Sequence, residues 1–299
     1  MVGRSMRPKT SGKVIDRPVL LLGATRSGKT MVANLLDEQP DFSLACEPLT
    51  TWNVNERNHR DDVRKAADAT TETTACIRHE IERFLARTSA ARYLDDLPHH
   101  ALRVPFCATV LPEARFIVVY RDGRDSIRDM LYGWRYRDTI LKVWSRRMGG
   151  TSRNAVRLSR LPRHAIRWIH NLVRQRSLGR RRTWGPTVRG QHEFSATHTL
   201  VETVGYQWSQ MIEQLQAGVA ELPAEKVLEI RFEQMIADPR ATFKGVAEFC
   251  EATDPEALVK LAVKLIDPNL EPDSQPLTTG DLHQLEPIIA PMQASLGYA

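Results

Sequence analysis

The chain has 299 residues, and its 42% hydrophobic and 26% charged residues are ordinary for a globular protein, which excludes disordered, collagen-like and coiled-coil chains. No run of 18 apolar residues predicts a membrane-spanning helix, and the first 18 residues lack the apolar core of a secretion signal. The four cysteines lie far apart with no CxxC pair, which predicts neither a disulfide framework nor a zinc site. We therefore expect a cytoplasmic protein.

The net charge of +6 is unevenly distributed along the chain. Residues 130–189 contain 16 basic residues and one acidic residue, so this segment carries +15 and the remainder carries −9. A segment of such charge is expected to meet an anionic partner.

Strand and helix patterns alternate along the chain. After a basic tail at 1–17, which we interpret as flexible, apolar runs predict strands at residues 18–22, 42–46, 115–120 and 227–231. Helical spacing is found at residues 30–37, within 60–90, and at 241–250. This alternation predicts a parallel sheet covered by helices, in a single domain spanning 18–299. Residues 130–200 interrupt the alternation and are interpreted as a helical insertion.

Residues 23–30 follow the first strand, open the first helix and fit the pattern GxxxxGK[ST]. In such a loop successive N–H groups surround an anion, and the helix N-terminus adds partial positive charge. Gly28 allows close approach of the backbone, Arg26 and Lys29 neutralise phosphate oxygens, and Thr30 offers a hydroxyl. The segment therefore predicts phosphate binding; the alternative interpretation is a glycine turn that only connects a strand to a helix.

A nucleoside triphosphatase also needs a metal-holding aspartate at the end of a second apolar strand. The strand at 115–120 is instead followed by Arg121, with Arg124 and Arg128 close behind. Ligands of open α/β folds bind at this edge of the sheet, where guanidinium groups would hold a second phosphate. A nucleotide with phosphates at both ends therefore fits better than magnesium-ATP, and no metal is predicted.

These two motifs, at 24–30 and 116–125, resemble the 5′-phosphosulfate and 3′-phosphate motifs of sulfotransferases that use 3′-phosphoadenosine 5′-phosphosulfate, particularly bacterial members. Weaker similarities extend the resemblance over about residues 18 to 299. The resemblance implies a P-loop NTPase-like three-layer α/β fold with a central parallel sheet. It also implies metal-free sulfuryl transfer to a hydroxyl or amine, with adenosine 3′,5′-bisphosphate as the product.

The resemblance also implies the residues that contact the donor, namely Ala24, Thr25, Arg26, Ser27, Gly28, Lys29, Thr30, Arg121, Ser126, Asp129 and Arg231. Two of them depart from the family pattern. Lys29 replaces a small hydroxyl residue, and Asp129 stands where the family has a serine that binds the 3′-phosphate. Because a carboxylate repels phosphate, either Asp129 turns away, with Ser126 or Arg128 substituting, or donor binding is weakened.

Sulfuryl transfer needs a base for the acceptor proton, cations for the leaving phosphate and a site that excludes water. Arg26 matches the family's catalytic cation, and Lys29 adds charge beside it. The candidate base is Glu47 at the end of the second strand, although a solvated turn carboxylate is the alternative interpretation. Three histidines are rival bases: His59, His99 and His100. We expect the adjacent pair at 99–100 on a surface turn.

The basic segment 130–189 also contains four of the six tryptophans: Trp134, Trp144, Trp168 and Trp184. It is either an amphipathic helix pair that covers the site or an acceptor-binding lid. Tryptophan stacks on sugars and anchors at lipid surfaces, which favours a carbohydrate or lipid acceptor and peripheral contact with the inner face of a membrane. No nucleic-acid-binding motif accompanies the charge.

Two other function classes stay open. One is a P-loop kinase or nucleoside triphosphatase that uses magnesium-ATP, because the GKT sequence is literal. The other is a non-catalytic nucleotide-binding protein that docks on a membrane or a polyanion, because Asp129 departs from the donor motif.

Overall fold

The computed structural model describes residues 14–45, 48–54, 60–88, 90–136, 185–268 and 274–298. Its centre is a sheet of five parallel strands in the order β2-β3-β1-β4-β5. The strands are β1 (Val19–Leu22), β2 (Phe42–Leu44), β3 (Arg92–Asp95), β4 (Arg115–Tyr120) and β5 (Val227–Arg231). The four predicted strands are confirmed, and β3 is the strand that the sequence analysis did not assign.

The helices are α1 (Lys29–Asp37), α2 (Leu49–Trp52), α3 (Thr71–Thr88), α4 (Val104–Val110), α5 (Gly123–Tyr136), α6 (Gln191–Thr197), α7 (Leu200–Ala220), α8 (Phe232–Ala237), α9 (Pro239–Cys250), α10 (Pro255–Leu265) and α11 (Thr279–Ser295). Helices α1, α8, α9 and α10 pack on one face of the sheet. Helices α3, α4, α5, α7 and α11 pack on the other face. The predicted three-layer α/β architecture is confirmed.

The central strands are apolar throughout because helices cover both of their faces. All four residues of β1 are buried, and β1 lies between β3 and β4. Its register with β4 pairs Leu22 with Val118, so the segments that follow these two strands leave the sheet at the same edge. This topology places the loop at 23–30 beside Arg121.

Most of the predicted tail and most of the predicted insertion lie outside the described residues. Of the insertion, the structure describes the end of α5 and residues 185–200. None of the described helices combines the length and the apolar character needed to cross a bilayer.

Candidate nucleotide-binding site

The loop between β1 and α1 contains two residues with a left-handed backbone. Gly28 precedes α1 with φ of 91°, a left-handed conformation that favours glycine. A Cβ atom at Gly28 would lie 2.3 Å from the ring of Phe232, so glycine is also required by packing. Arg26 has φ of 66°, so the loop reverses direction at this residue too.

The Lys29 side chain is buried beneath this loop. The residue is 4% exposed, and its Nζ donates a hydrogen bond to the Ala24 carbonyl oxygen at 3.2 Å. Burial lowers the pKa of Lys29 to about 8, while the nearby Asp96 carboxylate acts in the opposite direction. A cation removed from water in this way gains stability when a phosphate oxygen approaches it.

The other side chains of the loop point in different directions. The Thr25 hydroxyl lies 3.8 Å from Met211 Sδ on α7. The Ser27 hydroxyl is buried and has no hydrogen-bond partner among the described residues. Thr30 is exposed, and its hydroxyl donates to Asp96 Oδ2 at 2.7 Å.

Asp96 corrects one step of the sequence argument. β4 is followed by Arg121 and not by the strand-end aspartate of nucleoside triphosphatases. The structure has such an aspartate directly after β3, which is the other neighbour of β1. The signal was present in the adjacent pair Asp95 and Asp96, but it becomes readable only once β3 is known to be a strand.

Arg121 connects the end of β4 to the loop. Its Nη1 donates to the Arg26 carbonyl oxygen at 2.9 Å and to Asp129 Oδ2 at 2.8 Å. Its guanidinium lies over the Phe232 ring, 4.5 Å from the ring centroid. The structure therefore brings together the two positively charged strand ends that the sequence analysis predicted to be neighbours.

Asp129 faces Arg121 and does not turn away from it. The second carboxylate oxygen accepts hydrogen bonds from Arg128 Nε at 3.2 Å and from the Ser274 hydroxyl. Burial raises the pKa of Asp129, but hydrogen bonds from Ser274 and Arg121 outweigh it and leave the pKa lowered. Asp129 is thus an anion held between two arginines, and the weakened donor binding remains a prediction.

Three donors around Asp129 are buried without partners in the described part of the chain. They are Arg121 Nε, Arg128 Nη2 and the Ser126 hydroxyl. Buried donors are normally satisfied by protein, water or a ligand, so these three groups are available to an anionic ligand. Asp129 uses part of the available positive charge but leaves these donors open.

Arg231 is not brought to the loop. Its Nη2 donates to the Leu296 carbonyl oxygen at 2.5 Å, and its guanidinium lies 5.1 Å from the centroid of the Tyr298 ring. The side chain therefore contacts the C-terminal turn after α11, and its role in donor binding remains a prediction.

The two adjacent histidines do not lie on a surface turn, so that expectation is wrong. They belong to a 3₁₀ turn, Pro98–Leu102, in which His100 is buried and His99 is partly buried. His100 Nε2 lies 3.1 Å from Asp95 Oδ2. Burial opposes a charged ring, but Cys107 and Asp95 together raise the pKa of His100 to about 9.

His99 has the opposite character. Burial lowers the pKa of its ring to about 4, partly offset by the Asp62 carboxylate, whose Oδ2 lies 3.8 Å from Nε2. With a pKa of about 4 the ring is neutral at pH 7 and is a weak base. Asp62 Oδ2 also accepts a hydrogen bond from Thr187 N, which places the C-terminal end of the basic segment beside this histidine.

The remaining candidates cannot be placed. Glu47 and His59 lie outside the described residues, and so do most of the basic segment and the side chains of its four tryptophans. Within the described ranges, no group of three or more histidine, cysteine, aspartate or glutamate residues is arranged to hold a metal ion.

Comparison with known proteins agrees with this geometry. The model of the family described as "Sulfotransferase family" matches residues 18–175 and 181–256. The chain belongs to the sulfotransferase family. Searching proteins of curated function gives no match.

Among solved structures, sulfotransferase STF9 from Mycobacterium avium is 12% identical, with a TM-score of 0.53, over 96% of this chain and 78% of its own. A sulfotransferase from Alicyclobacillus acidocaldarius is also 12% identical, with a TM-score of 0.47, over 96% and 98%. Mouse sulfotransferase SULT7A1, complexed with PAP, is 11% identical, with a TM-score of 0.47, over 95% and 86%. At these identities the likeness to the first structure supports the fold alone.

Proposed function

We propose that this sulfotransferase moves a sulfuryl group from 3′-phosphoadenosine 5′-phosphosulfate to a hydroxyl or amine acceptor. The observation that carries the proposal is the hydrogen bond from Arg121 to the Arg26 carbonyl oxygen. It joins a phosphate-binding loop to a second cationic strand end, so one nucleotide can contact both. The unpaired donors of Arg121, Arg128 and Ser126 supply the second phosphate site.

The reaction is an in-line displacement at sulfur. The acceptor oxygen or nitrogen forms a bond to sulfur while the bond from sulfur to the bridging phosphate oxygen breaks. The acceptor proton passes to a base, and the electron pair of the broken bond stays on adenosine 3′,5′-bisphosphate. Arg26 and Lys29 neutralise the negative charge that develops on this leaving group.

The base is proposed to be Glu47, with His59, His99 and His100 as the rival candidates. His99 is neutral at pH 7, whereas His100 already holds a proton. Glu47→Gln should keep donor binding and lower turnover, and His99→Gln is the parallel test. Turnover retained in Glu47→Gln but lost in His99→Gln would move the role to the histidine.

The acceptor and the location follow from the basic segment 130–189. Its arginines and tryptophans support an anionic carbohydrate or lipid acceptor, and contact with the inner face of a membrane from the cytoplasm. No nucleic-acid partner is proposed. Vesicle co-sedimentation with and without anionic lipid tests the membrane contact; equal recovery in both would contradict it.

Calorimetric titration with adenosine 3′,5′-bisphosphate in EDTA tests the donor assignment. We expect Arg121→Ala to weaken binding by about 1–3 kcal/mol, the scale of a hydrogen bond to a charged group. Arg240→Ala is the matched control, because this arginine is exposed at the start of α9. Unchanged affinity in Arg121→Ala would contradict the assignment. Transfer of labelled sulfate from the donor then tests the reaction.

One observation favours a second function, a kinase or nucleoside triphosphatase that uses magnesium-ATP. Thr30 of the GKT sequence is hydrogen-bonded to a strand-end aspartate, the pair that P-loop NTPases use. A thermal-shift panel separates the alternatives: ATP that stabilises only with magnesium favours this function. Stabilisation by the bisphosphate with no turnover on any acceptor favours the non-catalytic binding protein.

A further inference from the structure

We propose that Tyr120, Glu229 and Arg231 form a second binding site, separate from the nucleotide site, for a small zwitterion of the aliphatic α-amino acid class. The inference rests on a cavity beside the edge strand β5, and it goes beyond sulfuryl transfer. It does not depend on the donor assignment, because no residue of the phosphate-binding loop takes part.

The cavity has a volume of about 480 Å³ and is partly open to solvent. One wall is formed by the ends of β4 and β5, and another by the last turns of α7 and α11. None of the described residues that line it belongs to the loop at 23–30 or to the segment 121–129. Because small-ligand pockets have volumes of this size, the cavity can hold an amino acid while the nucleotide site is occupied.

Arg231 faces this cavity and not the nucleotide site. Its backbone is extended, and consecutive side chains of an extended segment point to opposite sides. The Phe232 ring lies against Gly28 and under the Arg121 guanidinium. Arg231 lies on the other side, where its Nη2 donates to the Leu296 carbonyl oxygen at 2.5 Å.

Three polar groups of the strand wall lack the partners that such groups normally have. Glu229 and Arg231 lie two residues apart on β5, yet neither forms an ion pair with a described residue. Tyr120 is paired with Arg231 in the sheet and lines the same cavity. Its hydroxyl has no hydrogen-bond partner among the described residues, although Tyr120 is only 7% exposed. Buried tyrosine hydroxyls usually have a partner, which a ligand in the cavity would supply.

The charges of this wall select a zwitterion over an ion of one sign. Arg231 attracts a carboxylate, and the Tyr120 hydroxyl can donate to it, because burial and the nearby Glu229 raise the pKa of Tyr120 and keep the phenol protonated. Glu229 attracts an ammonium group, and the C-terminal ends of α7 and α11 add partial negative charge. A simple anion would be repelled by Glu229, and a simple cation by Arg231.

The helix wall suits an aliphatic side chain. Val219 and Ala220 at the end of α7 line the cavity, and so does Leu296 after α11. Contact with these residues removes apolar surface of the ligand from water. We therefore choose L-leucine as the probe, with two relatives that each lack one charge. The compound 4-methylpentanoate lacks the ammonium group, and 3-methylbutylamine lacks the carboxylate.

Calorimetric titration of the full chain with the three compounds tests the site. We expect L-leucine to bind with a Kd of about 1 mM or lower, and about 10-fold more tightly than either relative, because only L-leucine satisfies both charges. Saturating adenosine 3′,5′-bisphosphate should leave this affinity unchanged. No binding of L-leucine, equal binding of all three compounds, or competition with the bisphosphate would overturn the proposal.

The variant Glu229→Gln separates loss of the site from poor folding. It should weaken L-leucine binding about 10-fold and yet tighten 4-methylpentanoate binding, because the repelling carboxylate is gone. Glu225→Gln is the matched control, since this exposed glutamate precedes β5 and does not line the cavity. A parallel loss of both ligands in Glu229→Gln, or the same change in Glu225→Gln, would overturn the proposal.

The carboxylate end of the ligand is tested by two further variants. Arg231→Gln should weaken L-leucine and 4-methylpentanoate but not 3-methylbutylamine. Tyr120→Phe should weaken the same two carboxylates about 3-fold, the scale of one hydrogen bond. An equal loss of all three compounds in Arg231→Gln would contradict the assignment of the carboxylate to this arginine.

The outcome is separable from that of the proposed function. Binding of L-leucine should persist in Arg121→Ala, the variant that tests the donor assignment. Failure of L-leucine to bind would leave that assignment standing. Conversely, L-leucine binding that depends on Glu229 would stand even if no sulfuryl group were transferred.

Discussion

Asp129 is hydrogen-bonded to Arg121, the proposed partner of the 3′-phosphate, so removing its charge should tighten binding of adenosine 3′,5′-bisphosphate. If the 3′-phosphate displaces Asp129 from Arg121, the 2.8 Å hydrogen bond between the two side chains is lost, a contact of about 1.5–3 kcal/mol. A carboxylate left about 5 Å from a phosphate charge costs about 3 kcal/mol at an effective dielectric constant of 20. The arginine then regains a bond to the phosphate, so the net penalty is smaller than the sum.

We expect Asp129→Asn to strengthen the binding free energy for adenosine 3′,5′-bisphosphate by about 2 kcal/mol, which is about 30-fold in affinity. The assay is calorimetric titration with adenosine 3′,5′-bisphosphate, alongside AMP, which lacks the 3′-phosphate and should gain much less. Asp125→Asn is the matched control. It removes a carboxylate of the same helix, and this carboxylate pairs with Arg128 but not with Arg121. Unchanged or weaker bisphosphate binding in Asp129→Asn, with the fold intact by thermal melting, would refute the reasoning.

Three further predictions concern residues that support the structure of the candidate site. The pKa of Lys29 falls from 10.5 to about 8 on folding, so the unfolded chain binds the proton more readily between these values. The stability of wild type relative to Lys29→Met should therefore rise by about 3 kcal/mol between pH 7 and pH 10.5; parallel urea-denaturation profiles would refute this. Asp95→Asn should lower the free energy of unfolding by about 3–5 kcal/mol at pH 7, because it leaves protonated His100 buried without its carboxylate. A decrease below about 1 kcal/mol in the same denaturation assay would contradict the pairing of these two residues. Gly28→Ala should lower the free energy of unfolding by about 1–3 kcal/mol and abolish nucleotide binding, since it adds a Cβ at φ of 91° against an aromatic ring. Gly245→Ala, with open space around it inside α9, should keep nucleotide binding and raise the free energy of unfolding by about 0.5–1 kcal/mol; equal losses in both variants in melting and binding assays would contradict this.

The strands that could be predicted from the sequence are those that consist mainly of apolar residues, because apolar runs indicate burial. β1 and β4 are runs of apolar residues and are buried on both faces. β3 was missed because Arg92 and Asp95 are charged and yet buried. Arg92 donates to the carbonyl oxygens of Arg17 and Cys250, partners 75 and 158 residues away in the chain. Only the fold reveals that such charges are satisfied.

The residues of the candidate site also differ in how well the sequence predicts them. The loop at 23–30 and Arg121 were recognised because each depends on a contiguous motif beside a strand. The contacts of Asp129 with Ser274 and of Thr30 with Asp96 join residues 145 and 66 positions apart, and no local sequence pattern predicts them. The burial of His100 was missed for the same reason, since its partner Asp95 belongs to the unassigned strand.

The most direct test of the account is a crystal structure of the complex with adenosine 3′,5′-bisphosphate. We expect the 5′-phosphate within hydrogen-bond distance of the N–H groups of the loop, and the 3′-phosphate bound to Arg121 with Asp129 displaced. A nucleotide whose 3′-phosphate points into solvent while Arg121 stays paired with Asp129 would contradict it.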